Sequence, residues 1–180
     1  MKKILVSGFG GQGVLSLGIM VANSAMYMNY NTSWLPSYGP EMRGGTAHCN
    51  VVYASGDVAS PVVSRANFVV VMNEPSLGKF EQRLDAGGTM LVNTSIVQLK
   101  PTRTDIKIVN VPADEMADKL KNPRGGNVIM LGVMIELFGD IKVEAARKAI
   151  ETVFADKPEL IAVNLKCLES GIEYAKKNNG

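Results

Sequence analysis

The first turn of the chain constrains the fold more than any other feature. The apolar segment at residues 2–7 (KKILVS) leads directly into residues 8–13 (GFGGQG), of which four are glycines. Glycine lets the backbone turn tightly and approach a ligand without a Cβ in the way. A strand, a glycine-rich turn and a helix are the unit with which phosphate-binding α/β domains begin, because the loop and the helix N-terminus present N–H groups to an anion.

Apolar runs and helical periodicity alternate along the rest of the chain. Strands are predicted at 2–7, 31–36, 46–55, 68–72, 89–93 and 106–111, and helices at 12–28, 75–84, 113–120, 128–138, 142–154 and 159–177. Because strands alternate with helices and several strands are continuously apolar, we predict one α/β domain over residues 1–180. Its expected architecture is a three-layer Rossmann-like fold, with a mostly parallel sheet and helices on both faces.

Three details of the pattern are specific enough to test. Pro36 is predicted to end the second strand, and Asn127 is predicted to cap the helix that Gly139 closes. The 128–138 helix is apolar almost all round, so it needs cover on both sides, from this domain or from a partner.

Composition and charge exclude several classes of function. The chain carries 19 basic and 17 acidic side chains, a net charge of +2 that gives no electrostatic footprint for nucleic acid. No apolar run reaches the roughly 18 residues of a membrane span, and the N-terminal segment is a strand, not a signal peptide, so we expect a cytoplasmic protein.

The cysteines and the single histidine argue against thiol or metal chemistry. Cys49 and Cys167 are far apart, which excludes a disulfide framework or an all-cysteine iron–sulfur site and predicts buried free thiols. His48 is the only histidine, and its neighbour Cys49 points to the opposite face of a strand. We therefore expect no catalytic Cys–His pair and no metal ligands in this chain.

Dinucleotide binding and nucleotide hydrolysis both lack a required residue. A dinucleotide site needs an acid about 20 residues after the glycine loop, where this chain has Asn29, Asn31 and Thr32, and its first acid is Glu41. A Walker motif needs Gly-Lys, but Val14 follows Gly13. The loop therefore predicts an anion or phosphate site without a bound dinucleotide, and the alternative that it only permits a tight turn stays open.

The segment at residues 37–45 (SYGPEMRGG) is the second informative motif. Ser37, Tyr38 and Arg43 offer hydroxyl and guanidinium donors to phosphate or carboxylate, and Glu41 can orient Arg43. Because this loop follows a strand, we expect it at the same sheet edge as residues 8–13. The alternative hypothesis is an ordered loop that is held by an internal Glu41–Arg43 ion pair.

These motifs together resemble a known family. Residues 8–14 (GFGGQGV), 37–47 (SYGPEMRGGTA) and 126–132 (GNVIMLG) are similar to the gamma subunit of 2-oxoacid:ferredoxin (acceptor) oxidoreductases, and the similarity covers nearly the whole chain. The longer loop is most similar to the 2-oxoglutarate or branched-chain 2-oxoacid members. His48 stands where many members have Asn.

The resemblance implies a function within a complex. Such complexes oxidatively decarboxylate a 2-oxoacid such as 2-oxoglutarate to an acyl-CoA and pass electrons to ferredoxin or a similar acceptor. Thiamine diphosphate, Mg²⁺ and iron–sulfur clusters belong to the alpha, beta and ferredoxin-like delta subunits, so this chain alone binds none of them and should be inactive. It shares coenzyme A as a substrate and assists assembly. The implied cofactor-binding residues are Gly8, Gly10, Gly11, Gln12, Gly13, Ser37, Tyr38, Glu41, Arg43, Gly44, Gly45 and Asn127.

Two other functions stay open at this stage. One is a stand-alone Rossmann-type redox protein that binds a nucleotide, and the other is a regulatory module that binds a phosphorylated metabolite as a homo-oligomer. Both allow a homodimer of the isolated chain. The subunit hypothesis instead predicts partner chains and an apolar patch that they cover, such as one face of the 128–138 helix.

Overall fold

A computed structural model describes residues 1–37 and 46–178 of the chain. The strands are β1 (Lys2–Phe9), β2 (Asn31–Ser37), β3 (Thr46–Ala54), β4 (Ala66–Val71), β5 (Leu84–Asn93) and β6 (Lys107–Val111). The helices are α1 (Val14–Met26), α2 (Glu74–Phe80), α3 (Ala113–Lys119), α4 (Gly126–Phe138), α5 (Val143–Val153) and α6 (Ile161–Asn178). Short 3₁₀ turns at Glu81–Arg83 and Pro158–Leu160 complete the described elements.

The strands form one six-stranded sheet in the order β2-β3-β1-β4-β5-β6. Strands β1, β4, β5 and β6 pair in parallel, whereas β3 runs antiparallel to both of its neighbours. Eight residues separate β2 from β3, and a parallel crossover needs a dozen or more, so these two strands pair antiparallel. The predicted three-layer, mostly parallel α/β fold is confirmed.

Helices cover the two faces of the sheet unequally. On the first face, one continuous core joins Ile4 and Val6 of β1 to α1, α3, α4, α5 and α6. On the second face, a smaller core joins Leu5 to Leu77 and Phe80 of the short helix α2 and to the segments around Val63 and Val97. The second layer is therefore thin, and α2 is the only α-helix of the described residues that contributes to it.

Helix α4 is buried inside the domain. Its residues from Gly126 to Ile135 are all buried, and the helix packs against α1, α3 and α6. The all-round apolar pattern was correctly interpreted as a need for cover, but the cover comes from this chain. The expectation that a partner covers a face of this helix is therefore wrong.

A pair of glycines lets α4 and α6 pack backbone to backbone. A Cβ on Gly132 of α4 would press on the carbonyl oxygen of Leu168 and lie 2.9 Å from the Ile172 nitrogen. A Cβ on Gly171 of α6 would press on the carbonyl of Ile129, 3.0 Å from its carbon. Because both neighbours are backbone atoms, neither can move aside without shifting a helix.

Several element boundaries differ from those predicted. Strand β2 continues through Pro36 to Ser37, because Pro36 lies on an edge strand, where its missing N–H donor is tolerated. Helix α2 ends at Phe80, and β5 begins at Leu84, five residues before the predicted strand. In the described part of the chain, no helix is both long enough and apolar enough to span a membrane.

The glycine contact between α4 and α6 generates a stability prediction. We expect Gly132→Ala to lower the free energy of unfolding by about 2 kcal/mol or more, because the new methyl group overpacks two backbones. Gly78→Ala is the matched control, since Gly78 lies within α2 and its added Cβ meets nothing within 4 Å. The control should gain up to about 1 kcal/mol from helix propensity. Urea denaturation of both variants checks this, and equal effects would contradict the helix contact.

Candidate anion-binding site

Three glycines of the first loop are required by its geometry. The loop lies between the carboxyl end of β1 and the start of α1, and Gly11 and Gly13 adopt left-handed backbone conformations with φ of 95° and 70°. A Cβ on Gly8 would lie 2.7 Å from both Oε1 of Gln12 and Cβ of Met72. Glycine is therefore needed at Gly8 for space and at Gly11 and Gly13 for conformation.

The side chain of Gln12 fastens this loop to the sheet. Its Oε1 accepts a hydrogen bond from the Phe9 N–H at 2.7 Å, and its Nε2 donates to the carbonyl of Met72 at 2.9 Å. Phe9 ends β1, and Met72 directly follows the neighbouring strand β4. One amide therefore links the turn to two strands. Both ends of that amide are engaged within the protein, which makes Gln12 a positioning residue for the loop.

Asn127 secures the other side of the loop. Its Nδ2 donates to the carbonyl of Gly13 at 3.2 Å, across 114 residues of sequence. The predicted N-cap role of Asn127 is wrong: Gly125 is the N-cap of α4, and Asn127 is the second residue of the helix. The short Gly125-Gly126 segment starts the helix earlier, which turns Asn127 toward α1.

The N-terminus of α1 offers N–H groups to a ligand. No side chain of residues 1–37 or 46–178 caps this helix, and its first turn contains no acidic residue. Within the described residues, the N–H groups of Gly10, Gly11 and Gly13 have no hydrogen-bond partner. A helix N-terminus with free N–H groups and a positive dipole end attracts an anion. This loop therefore has the chemistry of a phosphate or carboxylate site.

The N-terminus of the neighbouring helix α4 already has an acidic side chain of this chain beside it. A Cβ on Gly126 would press on Oδ1 of Asp114, so that carboxylate lies against the start of α4. Its Oδ2 accepts a hydrogen bond from Nδ2 of Asn93 at 3.1 Å. An external anion is therefore expected at α1, and not at α4.

Only the first residue of the predicted second loop lies within the described residues. Ser37 ends β2, where it pairs with His48 of β3, and His48 in turn pairs with Ser7 of β1. Ser37 thus belongs to a strand, at the same sheet edge as the glycine loop. Tyr38, Glu41, Arg43, Gly44 and Gly45 lie outside the described residues, and their proposed roles remain predictions.

Two asparagines at the same edge were not singled out from the sequence. Oδ1 of Asn73, the second residue after β4, accepts from the Ser76 N–H at 2.9 Å and caps α2. Oδ1 of Asn93, at the end of β5, accepts from the N–H of Ala113 at 3.2 Å. An asparagine at the end of each apolar run, in VVVMN and MLVN, was the available signal.

The thiols and the histidine lie where the strand pattern predicted. Cys49 is buried in the core of the first face, and His48 packs against Phe80 on the second face, with ring centroids 5.0 Å apart. Burial raises the pKa of the Cys49 thiol to about 12, so it stays protonated. In the described ranges no three His, Cys, Asp or Glu side chains gather, so these residues offer no site for an iron–sulfur cluster or a divalent metal.

Comparison with known proteins shows the family of the chain. The family model for pyruvate ferredoxin/flavodoxin oxidoreductase matches residues 3–174. The chain belongs to this family. It is 40% identical over 177 residues to ketoisovalerate oxidoreductase subunit VorA of Methanothermobacter marburgensis, covering 98% of this chain and 37% of VorA. It is 30% identical to 2-oxoglutarate synthase subunit KorC of Methanocaldococcus jannaschii, covering 98% of this chain and 95% of KorC.

Solved structures show that the similarity of this chain to known proteins includes the fold. The gamma subunit of keto/oxoacid ferredoxin oxidoreductase from Geobacter sulfurreducens matches with a TM-score of 0.84 and 27% identity, over 98% of this chain and 99% of that one. The 2-oxoglutarate:ferredoxin oxidoreductase of Magnetococcus marinus shares the fold, with a TM-score of 0.88 and 21% identity, over 98% of this chain and 32% of its own. The resemblance to gamma subunits of this enzyme class is confirmed.

The role of Gln12 in the loop generates a second prediction. We expect Gln12→Glu to lower the free energy of unfolding by about 1–3 kcal/mol, because the carboxylate that replaces the amide cannot donate to the Met72 carbonyl. Gln98→Glu is the matched control, since Gln98 donates from an exposed amide to the Thr94 carbonyl at 3.3 Å. The control should change stability by less than about 0.5 kcal/mol. Thermal or urea unfolding checks both, and equal losses would contradict the positioning role.

Proposed function

We propose that this chain is the gamma-type subunit of a multi-subunit 2-oxoacid:ferredoxin or acceptor oxidoreductase. In this proposal the complex oxidatively decarboxylates a 2-oxoacid, such as 2-oxoglutarate or a branched-chain 2-oxoacid, to an acyl-CoA. The chain contributes to coenzyme A binding and to assembly, while partner subunits carry thiamine diphosphate, Mg²⁺ and the clusters. The observation that carries the proposal is the open N-terminus of α1 beneath the glycine loop, in a chain of this family.

The chemistry of coenzyme A fits that loop. Its phosphate groups are anions, and the free N–H groups at Gly10, Gly11 and Gly13 are suited to one of them. Gln12 and Asn127 act indirectly in this arrangement, because they hold the turn and the Gly13 carbonyl in place. The Magnetococcus marinus relative was solved with 2-oxoglutarate, coenzyme A and succinyl-CoA bound, which supports the substrate class without locating it here.

The names of the relatives support the proposal of partner subunits. The chain spans about 37% of the length of the VorA subunits that it matches. It spans 95% of KorC from Methanocaldococcus jannaschii, whose name describes a subunit. We propose that alpha, beta and ferredoxin-like delta chains provide the missing chemistry in the cytoplasm, with ferredoxin or a similar protein as acceptor.

The subunit proposal is tested by anaerobic affinity purification of the tagged chain from its native host. We expect larger chains to copurify with iron and thiamine diphosphate, and the preparation to oxidise a 2-oxoacid when coenzyme A is present. A panel of 2-oxoacids would then identify the substrate. If the chain purifies alone or only with itself, or if the isolated chain oxidises 2-oxoacids, the proposal is wrong.

The coenzyme A role gives a prediction at Asn127. In the assembled complex, Asn127→Asp should raise the KM for coenzyme A about tenfold or more, since a carboxylate near the Gly13 carbonyl repels phosphate by roughly 1–4 kcal/mol. The KM for the 2-oxoacid should stay unchanged. Asn31→Asp is the matched control, because Asn31 donates from an exposed amide to the Gly56 carbonyl at 3.1 Å. Equal KM values for coenzyme A in both variants would refute the predicted role of this loop.

A further inference from the structure

A polar cluster on the second face of the sheet has no part in the function proposed above. It consists of Thr46, His48 and Asn50 on β3 together with Lys79 and Phe80 on α2, and we call it the Phe80 cluster. The three β3 residues alternate along one strand, so they face the same side of the sheet. The glycine loop leads into α1, which packs on the opposite face.

The contacts of the cluster centre on the Phe80 ring. The His48 ring lies 5.0 Å from it at an interplanar angle of 49°. Nζ of Lys79 lies 5.4 Å from the ring centroid and donates to Oγ1 of Thr46 at 3.2 Å. Cζ of Arg83, in the 3₁₀ turn after α2, lies 5.6 Å from the same centroid, so Arg83 also belongs to the Phe80 cluster. Two cations and an imidazole therefore lie near one aromatic ring, and a hydroxyl group accepts a hydrogen bond from one of these cations.

The positive charge of the cluster has no acidic partner in the described part of the chain. Neither Lys79 nor Arg83 takes part in the ion pairs that the described residues form. Arg83 instead donates to the backbone carbonyls of Val63 and Ser64. Burial, followed by the charges of Lys79 and Arg83, lowers the pKa of His48, so its imidazole is neutral at pH 7. A bound oxyanion would neutralise the positive charges of Lys79 and Arg83.

Two uncharged side chains of the cluster each carry one buried atom that has no hydrogen-bond partner among the described residues. Nδ1 of His48 and Oδ1 of Asn50 are buried atoms without a partner among the described residues, and Asn50 is only 6% exposed. A buried polar atom left unpaired costs about 1–3 kcal/mol, so such a group calls for an explanation. Rotation of the Asn50 amide to present its NH₂ group would break no hydrogen bond of Oδ1 among the described residues.

We propose that the Phe80 cluster is an oxyanion-binding site, which takes a carboxylate or phosphate group. Lys79 and the Thr46 hydroxyl lie on one side of His48, and the Asn50 amide lies on the other. A ligand beside the imidazole would receive hydrogen bonds from the ammonium group, the hydroxyl and the ring. This site is separate from the glycine loop, although Thr46 pairs with Phe9 and both sites reach the same sheet edge.

Binding at the proposed site can be measured through the pKa of the single histidine. NMR titration of the imidazole of His48, the only histidine in the 180 residues, reports its pKa without assignment ambiguity. Inorganic phosphate and acetate are the probes, each compared with sodium chloride at equal ionic strength, because salt screening alone also moves this pKa. We expect phosphate to raise the pKa of His48 by about half a unit or more, since a bound anion favours the imidazolium.

Substitution of Lys79 provides the decisive comparison. Without ligand, Lys79→Met should raise the pKa of His48, because it removes a nearby cation. With phosphate, the variant should show binding at His48 that is about tenfold weaker. Lys148→Met is the matched control, since Nζ of Lys148 lies 4.4 Å from the Tyr27 ring and is remote from the cluster. Thr46→Val should weaken the response to a smaller extent.

The outcomes separate this proposal from the function proposed above. Phosphate bound at the glycine loop would shift the amide signals of residues 10–14 in the wild type and in Lys79→Met alike. A phosphate effect on His48 that Lys79→Met weakens about tenfold, with those amide shifts preserved, supports the Phe80 cluster. If phosphate and acetate leave the pKa of His48 at its chloride value, or if Lys79→Met and the wild type respond equally, the proposal is wrong.

Discussion

The amide of Gln12 is the contact on which the rest of the candidate site depends. It joins the N–H of Phe9 to the carbonyl of Met72, so the end of β1, the glycine turn and the end of β4 form one rigid edge. Gly8 has no Cβ because that amide occupies the space beside it. With the turn held, α1 begins at Val14, and the N–H groups of Gly10, Gly11 and Gly13 before it have no hydrogen-bond partner among the described residues. Asn127 then ties α4 to the same turn through the Gly13 carbonyl.

Much of the fold could be predicted because buried strands and helices have characteristic apolar patterns in the sequence. Continuous apolar runs located the central strands, and the all-round apolar pattern of residues 128–138 correctly predicted a fully covered helix. The pattern could not say what covers α4, because that depends on two glycines, Gly132 and Gly171, which allow α6 to approach. The antiparallel direction of β3 was also missed, although the short connection from β2 excludes a crossover.

The need for glycine in the first loop could be predicted from the sequence, but the contacts of the amide side chains could not. Left-handed or crowded backbone positions need glycine, so the glycines at positions 8, 11 and 13 already indicate a tight turn in the sequence. Gln12 and Asn127 were predicted as residues of the site, but their side chains bond to backbone carbonyls that only the tertiary structure brings near. The Phe80 cluster was not predictable from the sequence, because it needs α2 to cross the polar side of β3.

We propose that the glycine loop and the N-terminus of α1 receive a phosphate group of coenzyme A. An NMR titration of the ¹⁵N-labelled chain with coenzyme A, compared with pantetheine, which lacks the phosphates, tests this proposal. We expect saturable shifts that are largest at the amides of Gly10, Gly11, Gly13 and Val14 with coenzyme A, and no comparable shifts with pantetheine. Equal shifts with both ligands, or shifts only at other residues, would contradict it.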